Sequence, residues 1–149
     1  MTEDQQKLLQ RIYTEQQMTE SNLGLMQQRI EAIQVYLTNY RSGLMVLEEI
    51  EKKGEGEELL INVGGSIFVE AKLMNPNKVT RGLGSGIRIE QSVKDAKEVV
   101  TGAVESLEQQ YEKLVQDYQK LLQRASILNA QFQQLAAQIQ STQSPDEEE

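Results

Sequence analysis

The chain has 149 residues, 15 basic against 23 acidic for a formal net charge of −8, and neither cysteine nor histidine. That composition excludes disulfides, thiol nucleophiles, Ser-His triads and the usual zinc sites. An acidic surface repels nucleic-acid phosphates and anionic lipid, so no nucleic acid and no membrane is an expected partner.

The first predicted element is a helix over residues 1–53. With a positions at Leu9, Gln16, Leu23, Ile30, Leu37 and Leu44, the d positions are Gln5, Ile12, Thr19, Met26, Ile33, Tyr40 and Leu47, and ten of these thirteen are apolar. A 3.5-residue repeat held over six heptads is the mark of a coiled coil. Gly54 and Gly56 supply a stop after Lys53.

Residues 57–91 change character. Leu59 to Val63 is a short strand, Gly64-Gly65-Ser66 a turn, and Ile67, Val69, Ala71 and Leu73 alternate with Phe68, Glu70 and Lys72. Asn75-Pro76-Asn77-Lys78 is a turn with Pro at its second position. Val79 to Leu83 and Ile87 to Glu90 then flank Gly84-Ser85-Gly86, a second hairpin. Two isolated hairpins are marginal in water, because their edges and apolar faces lack cover. The segment is therefore expected to complete itself against other subunits, through Leu59, Ile61, Val63, Ile67, Val69, Ala71, Val79, Leu83, Ile87 and Ile89. Gly82-Leu83-Gly84-Ser85-Gly86 is not a phosphate loop: no Gly-Lys-Ser/Thr follows, and the glycines precede a strand rather than a helix.

A second helix is predicted over 92–141, with Ser92 as N-cap and Asp95 at N3 of a capping-box variant. Its d positions are Val93, Val100, Leu107, Leu114, Leu121, Leu128 and Leu135. Its a positions are Lys97, Val104, Tyr111, Tyr118, Ala125, Phe132 and Ile139, and thirteen of the fourteen are apolar. Helices of equal length joined by a short β segment pair antiparallel, with Leu47 near Val100 and Leu9 near Leu135, as a rod about 65–70 Å long. Residues 142–149, ending in Ser144-Pro145-Asp146-Glu147-Glu148-Glu149, read as an acidic disordered tail. The predicted fold is mainly α: a long antiparallel two-helix coiled coil with two β-hairpins at its base, one structural domain throughout.

No apolar run approaches the roughly 18 residues of a membrane span, and nothing behind Met1 resembles a signal peptide, so the expected location is the cytoplasm. No calcium-loop spacing occurs, and no cofactor or metal is expected.

Helix, two β-hairpins, helix, with these motifs, resembles the α-class subunit of prefoldin in its archaeal form. The sharpest part is Val63-Gly64-Gly65-Ser66-Ile67-Phe68-Val69-Glu70-Ala71-Lys72, similar to the family's Gly-rich first turn and following strand. Gly82-Leu83-Gly84-Ser85-Gly86-Ile87, ending in Ile89-Glu90-Gln91-Ser92, is similar to its second turn and the approach to helix two. Asn62 stands near the place where the family often has Pro, and the first turn looks short. The resemblance implies a hetero-hexamer of two α- and four β-class subunits, joined through a central β-barrel body to which the hairpins contribute. It implies an ATP-independent holdase, not an enzyme, that binds unfolded polypeptides at the coiled-coil tips and delivers them to a group II chaperonin.

At the tip, surplus apolar residues lie beside the seam: Leu8 at g, Tyr13 at e, Leu122 at e and Ile127 at c. Gln16 and Thr19 weaken the seam nearby. A splayed seam would offer Leu9, Ile12, Leu128, Phe132 and Leu135, together with Leu8, Tyr13 and Ile127, to a client. Two alternatives stand beside this reading: the same residues only widen a buried stripe, or the chain is a structural coiled-coil spacer or filament subunit assembling through its hairpins.

Overall fold

The computed structural model describes residues 2–142. In chain order its elements are α1 (Glu3–Lys52), β1 (Glu58–Gly64), β2 (Ile67–Lys72), β3 (Lys78–Gly84), β4 (Ile87–Ser92) and α2 (Val93–Thr142). The fold is thus two long helices with two antiparallel hairpins between them. Of the expected disordered tail, residues 142–149, Thr142 instead ends α2, and residues 143–149 lie outside the described residues. The described residues fall into two compact units: those up to Ile33 with those from Gln110 onward, and Gln34–Gln109.

Each helix start is capped by a side chain. At α1 the Gln5 amide donates to Thr2 Oγ1 at 3.3 Å and the Thr2 amide donates to Gln5 Oε1 at 2.9 Å, a reciprocal capping box. Glu3 and Asp4 add negative charge to the first turn, where the helix dipole favours it. At α2 the Asp95 amide donates to Ser92 Oγ at 3.0 Å, so Ser92 both ends β4 and caps the helix. The α1 exit is tightened by a bond from the Lys53 amide to the Ile50 carbonyl, and Gly56, at φ +78°, turns the chain toward β1. Gly54 has no positive φ and Gly56 lies in the turn beyond the helix end, so neither glycine is a left-handed cap directly on α1.

In the helix-end unit, the core is the seam itself. Ile12, Leu128 and Leu135 are buried, with Leu9, Phe132 and Ile139 packed against them. Leu9 and Ile12 lie near the start of α1 and Leu128, Phe132 and Leu135 near the end of α2, so the pairing here is antiparallel. Glu15 and Arg124, both at g positions, bridge across it, with Arg124 Nε donating to Glu15 Oε1 at 2.9 Å. In the second unit, Leu37, Val93, Ala96 and Val104 are buried, and Arg41 Nη2 donates to Glu108 Oε1 at 2.6 Å between the helices. Two exposed ion pairs of this kind contribute little stability, roughly 0–1 kcal/mol each. The burial of alternating a and d side chains holds the helices together.

The two hairpins share one frame, offset by twenty residues. β1 pairs with β2 from Glu58↔Lys72 to Gly64↔Ile67, and β3 pairs with β4 from Lys78↔Ser92 to Gly84↔Ile87. Each forms its own two-stranded sheet. The loops are two residues long, Gly65-Ser66 (φ +58°, +60°) and Ser85-Gly86 (φ +50°, +78°). Positive φ at both central residues is the type I′ turn, whose twist matches that of the flanking strands. Ahead of each loop the register slips by one residue, at Val63 and at Leu83, and the following glycine takes φ +103° or +100°. Asn62, the departure from the expected Pro, has a role here: the Gly64 amide donates to Asn62 Oδ1 at 2.9 Å and fixes the slip locally.

Candidate client-binding and assembly surfaces

The eight residues expected to meet a client divide into two sets. Leu9, Ile12, Leu128, Phe132 and Leu135 lie in the closed seam. Leu128 has 0% of its surface exposed, and the polar Gln16 of the facing helix is half-buried. Thr19, also a polar seam residue, is itself buried. Gln16 and Thr19 therefore do not part the helices here: Ile12, Leu128 and Leu135 are buried and Leu9 and Phe132 half-buried, so the five are fully offered to solvent only if the seam opens. Leu8, Tyr13 and Ile127 are exposed, as are Leu122 and Met18 of the same unit.

Beside the seam runs a mixed groove of about 450 Å³, lined by Leu8, Arg11, Ile12, Gln131, Gln134 and Leu135 among others and crossed by the Glu15–Arg124 pair. Its walls combine aliphatic side chains with uncharged amides. Such a surface can bury an apolar side chain while satisfying the peptide groups of an extended chain, without demanding one sequence. Among the described residues no cluster of three or more carboxylates could hold a metal ion.

In the hairpin-bearing unit, register and alternation assign the faces. Leu59 and Ala71 are paired on one face of the first hairpin, as are Ile61 and Val69; Val79, Arg81, Ile89 and Gln91 take the matching face of the second. Leu59, Ala71, Val79 and Ile89 are half-buried. Ile61, Val63, Ile67, Val69, Leu83 and Ile87 are exposed. An apolar groove of about 640 Å³ lies between α1 and β1, lined by Met45, Val46, Ile50, Leu59, Leu60 and Ile61, with Glu49 and Lys53 at its rim.

The sequence reading missed the other face of the first hairpin. Leu60, paired with Glu70, is 67% exposed, and Phe68, paired with Asn62, is 54% exposed. Each forgoes part of the roughly 1.5–3 kcal/mol that full burial of such a side chain contributes. The signal was present: Leu59-Leu60-Ile61 and Ile67-Phe68-Val69 are unbroken apolar runs, the pattern of strands covered on both faces. Met45 and Val46, exposed on α1, were missed because they lie off the heptad stripe.

A closed two-helix seam carrying two exposed, doubly turned hairpins is the build of a subunit made to be joined by others. Residues 19–138 match the family model described as "Prefoldin subunit". The chain is 29% identical over 120 residues to prefoldin subunit alpha of Methanobrevibacter smithii, covering 80% of this chain and 82% of that one. It is 28% identical over 93 residues to prefoldin subunit alpha of Archaeoglobus fulgidus, covering 62% and 68% respectively. In fold it is similar to a filamentous PFD from Methanocaldococcus jannaschii solved by cryo-EM, with a TM-score of 0.62 at 22% identity, over 77% of this chain and 95% of that one. The chain belongs to the prefoldin family of chaperone subunits, and within it its likeness is to the α class. No helix among the described residues is long and apolar enough to cross a membrane.

Proposed function

We propose that this chain is a subunit of an ATP-independent holdase that binds non-native polypeptide at its helix-end unit and delivers it to a group II chaperonin. Leu8, Tyr13 and Ile127 are the first contacts, and seam opening adds Leu9, Ile12, Leu128, Phe132 and Leu135. Assembly runs through the hairpins, which contribute to an oligomeric β-barrel body with β-class subunits, two α to four β, in the cytoplasm. The chain performs no enzymatic step and uses no nucleotide. Gly82 to Gly86 form the end of β3 and a hairpin turn, and α2 starts only at Val93, so these glycines open no helix that could hold a phosphate.

The observation that carries the reading is the exposure of Leu8, Tyr13 and Ile127 beside a seam that is already closed without them. Single contacts of this size are weak, about 25 cal/mol per Å² buried. Several subunits acting together raise the effective concentration of each contact, giving useful holding with fast release and no fuel. The test is Leu8→Ser, Tyr13→Ser and Ile127→Ser together, in a particle reconstituted with β-class subunits. Client capture should fall while particle mass is unchanged. Full capture by the triple variant would assign client binding elsewhere.

A second reading, a filament or spacer subunit assembling through the same hairpins, is favoured by the fold likeness to the filamentous M. jannaschii protein. Electron microscopy of the purified chain separates the two, because the holdase reading expects discrete particles and the filament reading expects open polymers.

A further inference from the structure

The groove beside the seam in the helix-end unit carries an unmatched charge. Arg124 is engaged by Glu15, and the nearby Lys7 by Glu3 at 2.9 Å. Arg11, in the α1 wall of the groove, makes no ion pair or hydrogen bond among the described residues. The charged lining is two cations, Arg11 and Arg124, against one carboxylate, Glu15, in a chain of net −8. On the α2 side stand Gln131, Gln134 and Gln138, and each side-chain amide has two N–H donors to offer. Such a wall suits carboxylates, which accept from a guanidinium and from amides more strongly than neutral groups do.

A run of carboxylates follows α2 directly. Asp146, Glu147, Glu148 and Glu149 are consecutive, and α2 ends at Thr142. The last turn of α2 has no basic residue, and the first turn of α1, which the antiparallel seam brings to the same end, carries Glu3 and Asp4. Carboxylates held at that end meet the negative pole of the α2 dipole and two like charges, so a place farther along the groove, at Arg11, is favoured. The reach suffices. From Thr142 back to the level of Gln131 is roughly 16 Å of helix, at 1.5 Å per residue. Residues 143–149 extend roughly 23 Å from Thr142. The difference leaves about two residues for the reversal, and Ser144-Pro145 is a turn-forming pair at that place.

We infer that residues 146–149 fold back along this groove and seat on Arg11, covering the exposed Leu8, so that a client must displace them. The segment is a built-in competitor for the client surface: it lowers the affinity of the single site and speeds release. An exposed ion pair is weak, so the seat is filled only part of the time, and the apparent client affinity falls in proportion to the unoccupied fraction. The inference rests on the client-binding reading proposed above and adds the regulation of that same site.

The test reads the contact and its consequence separately, in particles reconstituted with β-class subunits. The chain has no cysteine, so nitroxides attached before reconstitution at Thr14→Cys and Glu149→Cys report one distance. With the segment seated, the labels lie within about 20 Å; with residues 143–149 directed away from the helix end, they lie about 40 Å apart. Pulsed electron paramagnetic resonance should show a short distance that is lost with Arg11→Glu and returns when Glu147→Lys and Glu148→Lys are added, with circular dichroism as a check of folding. The Kd for a fluorescently labelled denatured client should tighten about two- to fivefold on deletion of residues 143–149. A distance that ignores Arg11→Glu, or a Kd unchanged by the deletion, overturns the inference. The combined Leu8→Ser, Tyr13→Ser and Ile127→Ser variant distinguishes the two levels. If it loses capture while the deletion changes nothing, the client site stands and only this regulation is wrong; if it too captures fully, the client site itself is wrong.

Discussion

Lys97 Nζ lies 3.0 Å from Glu51 Oε2, joining the only charged residue among the fourteen seam positions of α2 to an acidic residue at the corresponding a position of α1. The seam at this level is polar and partly solvated, close to where both helices meet the hairpins. A polar pair at a seam position fixes register more than it adds stability. Substituting both by Leu should raise the melting temperature, whereas the coupling from a double-mutant cycle should be only about 0.5 kcal/mol and shrink with added salt. A coupling of several kcal/mol would mean that the pair is far drier than its exposure indicates.

Neighbouring residues near the end of α2 should behave differently. Leu128 is fully buried and Ile127 is exposed. Leu128→Ala should cost about 2–5 kcal/mol in urea unfolding, and Ile127→Ala less than about 0.5 kcal/mol. In client capture the order should reverse, with Ile127→Ala weakening binding and leaving stability alone. Equal stability losses would show that the seam is not closed at this level.

Glycines should separate by conformation. Gly64, at φ +103°, cannot become Ala without strain, and Gly64→Ala should destabilise the first hairpin by about 1 kcal/mol or more. Gly43 lies within α1 with nothing within 4 Å of an added Cβ, so Gly43→Ala should stabilise by up to about 1 kcal/mol. Thermal unfolding of both variants checks the pair of signs.

The helices were legible because their physics is local and periodic. Every a and d position from Leu9 to Leu37 is buried or half-buried, as the heptads predict, and Ser92 caps α2 where expected. The Thr2–Gln5 capping box was equally local yet unread, since attention to the apolar stripe passes over the polar residues ahead of it. The hairpins were legible as strands and turns, but their faces were not. Strict alternation was imposed on Ile67-Phe68-Val69, which assigned Phe68 to a solvent face and left out Leu60 and Phe68 as candidates for contact. Seam closure was not legible either. Gln16 and Thr19 are polar, but Gln has a long aliphatic stem and Thr a methyl group, and pairwise heptad reading does not weigh those against the surrounding Leu and Ile side chains.

The central claim is that the helix-end unit holds the client and the hairpins do not. The most direct measurement is light scattering of a denatured client, with particles reconstituted from β-class subunits and a chain lacking residues 1–13 and 127–149. The account predicts that these particles reach the full-length assembly state but suppress aggregation less well, the loss being partial because the β-class subunits remain. Assembled particles that protect the client as fully as the intact ones would contradict it.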